Sequence, residues 1–157
     1  MSNELSILIE TLQKKEEVLK EILSKSKEQL DIVKADEFDE EAFDERFNDK
    51  DVLIDELNRL DEGFDGVYNR IRSELKENLD DYKPQVASLQ QLIRVTMDLG
   101  SEIHQTENKV KDALPNALSQ KKRSLYDKRM TATGVANYYR ASKMMDMQDP
   151  YFMDHKQ

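Results

Sequence analysis

Two histidines and 33 Asp and Glu are the side chains of this sequence that could do acid–base or metal chemistry; there is no cysteine. His104 follows Asp98 and precedes Glu107, so a histidine and a carboxylate three apart can share a helical face. A di-iron bundle repeats such a pair on a second helix, and none is repeated here. His155 stands by itself. There is no Gly-rich loop to cradle a phosphate and no Ser-His-Asp or Cys-His set. The densest acid cluster is Asp36-Glu37-Phe38-Asp39-Glu40-Glu41. It lacks the glycine and the ligand spacing of a calcium loop. The other carboxylates recur along charged helical faces, a pattern of solvation rather than of paired acid and base. The expectation is therefore no enzyme, no cofactor and no metal site.

The elements that position these side chains are helices. From Phe43 to Tyr82, the residues Phe43, Phe47, Ile54, Leu57, Phe64, Tyr68, Ile71, Leu75, Leu79 and Tyr82 recur at steps of three, four or seven. A second row, Leu53, Leu60 and Val67, widens the face, as in a helix packed between two others. Between the rows lie charges such as Asp51, Asp55, Arg59, Asp61 and Glu62. An earlier helix should begin near Ser2 or Asn3, either of which suits an N-cap, and end near Ala35. Its stripe is Leu5, Leu8, Leu12, Leu19, Ile22, Leu23, Leu30 and Val33, interrupted by Lys15 and Ser26. In the short acidic connection, Asp39 suits the N-cap of the second helix, and Phe38 and Phe43 a hydrophobic staple. Gly63 and Gly66 are expected to bend that helix or to allow close packing.

The third helix should start near Pro84, where proline fits a first turn. Val86, Leu89, Leu92, Ile93, Met97, Ile103, Val110 and Leu114 form its stripe. Pro115 should kink or break it; a continuation from Asn116 to about Arg129 would place Leu118, Leu125 and Tyr126 on one side. After Thr131-Ala132-Thr133-Gly134 the composition changes. Val135, Tyr138, Tyr139, Ser142 and Met145 could line a short helix, with Met147, Tyr151, Phe152 and Met153 beyond it. The expected fold is all-α: an elongated antiparallel bundle of three long helices plus a short C-terminal helix or mobile tail. The expected division is a bundle over 1–129 and a partner-binding tail over 130–157.

Composition bounds the function. The net charge is −9, spread unevenly. Residues 1–83 hold 13 Lys and Arg against 25 Asp and Glu; residues 84–157 hold 11 against 8. Such an acidic surface opposes general nucleic-acid binding. The first residues lack a secretory signal's basic and apolar regions, and no stretch reaches the roughly 20 apolar residues of a membrane span. A cytoplasmic location without membrane insertion is expected.

Two features together carry a resemblance. One is the opening pair of helices, with Phe43-x3-Phe47-x2-Lys50-x2-Leu53-x3-Leu57 after the acidic connection. The other is the close, Tyr138-Tyr139 and then Pro150-Tyr151-Phe152-Met153-Asp154-His155-Lys156. This layout resembles flagellar export chaperones of the FlgN type. The resemblance implies a small cytoplasmic chaperone whose C-terminal segment holds the C-terminal amphipathic helix of a secreted hook–filament junction protein, with the export gate as a further partner. Family members often carry a polar tail; this one is rich in Met and aromatics, which leaves open whether it is free before a client binds.

The binding mode expected is helix in groove, with Val135, Tyr138, Tyr139, Met144 and Met145 as the client-binding anchors. Two other classes compete. One is a coiled-coil scaffold that self-associates, as a homodimer for example, through the same stripes. The other is a binder of nucleic acid or acidic partners through the basic stretch Lys121 to Lys143; a basic segment answering the acidic half within the fold explains that stretch more simply.

Overall fold

The computed structural model describes residues 1–118. They form three long helices: α1 (Ser2–Lys34), α2 (Glu40–Glu77) and α3 (Lys83–Ala117), with a 3₁₀ turn at Leu79–Tyr82 before the last. Short connections reverse the chain twice. Hence α2 runs antiparallel to both neighbours, and α1 and α3 run parallel.

Local chemistry explains the ends. The Asp39 carboxylate accepts from the Ala42 N–H at 3.0 Å, capping α2, and the Phe38 and Phe43 rings meet at 5.7 Å as the staple requires. The cap expected at Ser2 or Asn3 is absent. Helix α1 already begins at Ser2, so the cap seat falls on Met1, whose carbonyl accepts from the Leu5 N–H. Pro115 neither kinks nor breaks α3 midway; it lies in the last turn, where few intrahelical bonds remain to be lost. The helix ends at Ala117 and Leu118 is extended, so α3 does not continue through Leu118. The remainder of the expected continuation, and the tail, lie outside the described residues.

The core is a seam of side chains at alternating steps of three and four. In α2 it reads Phe43, Phe47, Lys50, Ile54, Leu57, Asp61, Phe64, Tyr68, Ile71 and Leu75, all buried. This is the heptad spacing of packed helices. Three apolar clusters succeed one another along the bundle. The first joins Leu5, Leu8 and Leu12 to Phe64, Tyr68 and Ile71 and to Leu89 and Ile93. The second joins Leu19 and Ile22 to Ile54, Leu57 and Ile103. The third joins Val33 to Phe43, Phe47, Val110 and Leu114. Leu57 and Ile71 are both buried in the α2 seam, as the stripe predicts.

One helix is more central than expected. The backbones of α2 and α3 both pack closely on α1, but their Cα traces approach within 8 Å of each other almost nowhere. The helix packed between two others is thus α1 rather than α2. The glycines of α2 serve neither a bend nor a close contact. The helix continues through both, and a Cβ added at Gly63 or Gly66 would meet nothing within 4 Å.

Candidate functional site

Charged layers separate the three apolar clusters. Between the first and second, Lys15 Nζ donates to Asp61 Oδ1 at 2.8 Å, with both side chains almost fully buried. The antiparallel register that pairs these residues places Thr96 of α3 at the same level. Its hydroxyl donates to the Ile93 carbonyl at 2.9 Å instead of joining the pair. Asp61 Oδ2 has no hydrogen-bond partner. Burial pushes the Asp61 carboxyl above its ordinary range; Lys15 pulls against this, and Asp65 adds to it.

Between the second and third clusters, Glu107 of α3 accepts from two helices on one oxygen. Ser26 Oγ donates to Glu107 Oε1 at 2.6 Å, and Lys50 Nζ donates to the same atom. The Lys50 ammonium also reaches Ser26 Oγ at 3.4 Å. One turn further, Gln29 Nε2 donates to the Phe43 carbonyl at 3.2 Å, while Glu107 Oε2 and Gln29 Oε1 lack partners. These charges lie at seam positions; they are not the exposed inter-row charges that polarity alone suggests for Asp61, nor mere interruptions as at Lys15 and Ser26. Glu107 is thereby turned into the core and away from any pairing with His104, whose Nε2 lies 3.4 Å from Asn108 Nδ2. Asp98 is exposed. Among the described residues, no group of three or more His, Asp or Glu is placed to hold a metal ion.

The flanks of the seam differ as much as its layers. Arg46 of α2 pairs with Glu28 at 3.2 Å, and Asp49 with Lys25 at 3.6 Å, so one edge of α2 faces α1. That edge continues through the half-buried Leu53, Leu60 and Val67. Lys27 pairs with Glu102 at 3.4 Å and turns one edge of α3 to the other side of α1. The remaining edges of α2 and α3 face one another. On α2 this edge reads Asp44, Asp51, Asn58 and Asp65, bordered outward by Asn48, Asp55, Glu62 and Asn69. On α3 it reads Gln90, Met97, His104 and Lys111. An edge of carboxylates and amides gains little from losing water, which accounts for the open α2–α3 seam.

The acid cluster of the α1–α2 connection contributes the α2 cap through Asp39. Beyond it, Glu40, Glu41, Asp44, Glu45 and Asn48 line a shallow, open depression. The expected anchors Val135, Tyr138, Tyr139, Met144 and Met145 lie outside the described residues. No helix among the described residues is long and apolar enough to cross a membrane. No family model, no curated protein and no solved structure matches the chain.

Proposed function

We propose that the chain is a cytoplasmic flagellar export chaperone of the FlgN type. It binds the C-terminal amphipathic helix of a secreted hook–filament junction protein through residues 130–157, and delivers it to the export gate. One observation carries the choice of segment. Within residues 1–118 the apolar stripes are buried against each other. The large apolar side chains left exposed are Ile7 (45%) and Val52 (68%), on different helices and at different levels. The described bundle therefore offers an amphipathic helix little to bury against. The unused apolar and aromatic residues, Val135, Tyr138, Tyr139, Met144, Met145, Tyr151, Phe152 and Met153, are concentrated beyond Gly134. Tyr presents a rigid face with a polar tip, and Met adapts its shape to a partner. The same observation weighs against the self-associating scaffold, because the stripes that a second copy would use are already occupied within one chain.

The test is calorimetric titration of a junction-protein C-terminal peptide into three proteins: the full chain, a chain truncated at Gly134, and the double variant Tyr138→Ala, Tyr139→Ala. The double variant is expected to lose about 2 kcal/mol or more of binding free energy, the cost of removing an aromatic hot spot. Truncation is expected to abolish binding while the bundle still melts as a folded unit. Unchanged affinity together with a lowered melting temperature would refute the assignment.

A further inference from the structure

Among the described residues, the α2–α3 seam is the flank that the helices leave open, and it has a charge. Asp51, Asp55, Glu62 and Asp65 line its α2 side, with no Lys or Arg on that edge from Asp44 to Asn69; Met97 and His104 lie on its α3 side. The chain leaves α3 at the end of this seam. Leu114, Ala117 and Leu118 pack with Phe38 and Phe43, beside the first turns of α2. The sequence beyond Leu118 is strongly basic: between 121 and 143 there are seven Lys and Arg against a single acid, Asp127. We propose that this stretch, Lys121 to Lys143, turns back and docks along the α2–α3 seam, setting its cations against the α2 carboxylates.

Length, tether and charge agree. Wound as a helix, the stretch would span about 35 Å, against about 32 Å from Asp44 to Asp65 at the same rise per residue. The connection from Leu118 is short, so the docking partner is held at high effective concentration, and individually weak exposed ion pairs suffice to bias it. Salt should loosen the arrangement, since such pairs are screened. The inference stands apart from the client reading: docking is a property of the chain without any partner.

The experiment uses the full chain, whose lack of cysteine allows one nitroxide at a chosen site. Ser101→Cys places the label on the exposed α3 border of the seam; Ser24→Cys places it on the far face of α1. With the label at 101, amide signals of residues 121–143 are expected to broaden at low salt, to recover at high salt, and to stay sharp with the label at 24. Adding Asp51→Asn, Asp55→Asn and Glu62→Gln should remove the broadening while the far-UV circular dichroism spectrum stays helical. A sample mixing isotope-labelled chains without nitroxide and nitroxide-bearing chains without isotope should show no broadening. The proposal is overturned by sharp signals with the label at 101, by equal broadening from 24, by broadening that survives the triple substitution, or by broadening in the mixed sample, which would make a second copy the occupant.

Discussion

The two charged layers sit on the same three helices yet solve burial differently. Asp61 has one donor, the Lys15 ammonium, and its other oxygen is bare. Glu107 has a donor from each of the other two helices, the Ser26 hydroxyl and the Lys50 ammonium. A buried charge is costly unless paired and hydrogen-bonded, so the first layer holds its carboxylate less well, and burial raises the Asp61 pKa. The layers also differ in partner order. A slip of α2 by one heptad would set Lys50 against Leu19 or Val33 and Asp61 against Leu8 or Ile22. Both pairs would be lost at once. Polar seam residues fix register in this way at some cost in stability. The apolar clusters alone would tolerate the slip far better.

Breaking the better-satisfied layer has the largest expected effect. Lys50→Met removes the ammonium from Glu107 and leaves a buried carboxylate with only a hydroxyl donor. The expected loss is about 3–5 kcal/mol, read from urea unfolding. A loss below about 1 kcal/mol would mean that water reaches Glu107 in the variant, and that the layer matters less to stability than its burial suggests.

An apolar layer gives the reference. Leu57 is fully buried between the two charged layers. Leu57→Ala should cost about 2–5 kcal/mol through lost burial and the cavity left behind, and Ile71→Ala a similar amount. If Leu57→Ala costs clearly more than Lys50→Met, the apolar clusters dominate stability and the charged layers act mainly on register.

The same seam separates the legible from the illegible. Helix number, order and approximate ends are readable in the sequence, because the apolar stripes are long and carry strong start signals such as Asp39 with Phe38. The charged layers are also present in the spacing. Lys50 and Asp61 continue the three–four alternation from Phe47 through Ile54 and Leu57 to Phe64, as do Lys15 and Ser26 between Leu12, Leu19, Ile22 and Val33. Residue type masks them, since Lys and Asp are seldom buried unpaired. Their pairing needs the register of two other helices, which no single stripe contains. Nor can the stripe of α2 tell which flank faces α1 and which faces α3. That depends on handedness of assembly, fixed here by contacts such as Arg46 with Glu28 and Lys27 with Glu102. The client anchors rest on composition beyond Gly134, and binding rather than packing decides their assignment.

The weaker layer should respond in the opposite direction to the stronger one. Replacing both partners, Lys15→Met with Asp61→Leu, removes two desolvation costs together and should be neutral or stabilising by about 1–4 kcal/mol. It should also change the pH dependence. Since the folded-state pKa of Asp61 lies above the ordinary 3.8, the native state holds a proton that the unfolded chain has already released at pH values between the two. The contribution of Asp61 to stability therefore falls as pH rises through that window and is level above it. The double variant lacks this fall, so its advantage over the parent should grow from below pH 3.8 upward and then stay constant. An advantage independent of pH would show that Asp61 is not raised in the fold.

The smallest expected effect lies outside both layers, on the exposed face of α2. Gly63 and Gly66 are helical, exposed, and clear of any neighbour that a methyl group would strike. Neither has a positive φ. Glycine lowers helix stability by leaving the unfolded chain more backbone freedom and by lacking a side chain over the helix surface. With no packing or conformational reason to retain it here, Gly63→Ala should stabilise the bundle by about 0.5–1 kcal/mol, and Gly66→Ala likewise. The two residues lie three apart on one exposed face and share no buried partner, so the double variant should approach the sum. The same urea series measures it, with Leu57→Ala as the scale. A destabilising Gly→Ala at either site would show that α2 uses glycine for something besides its own helix, such as close approach of residues beyond Leu118.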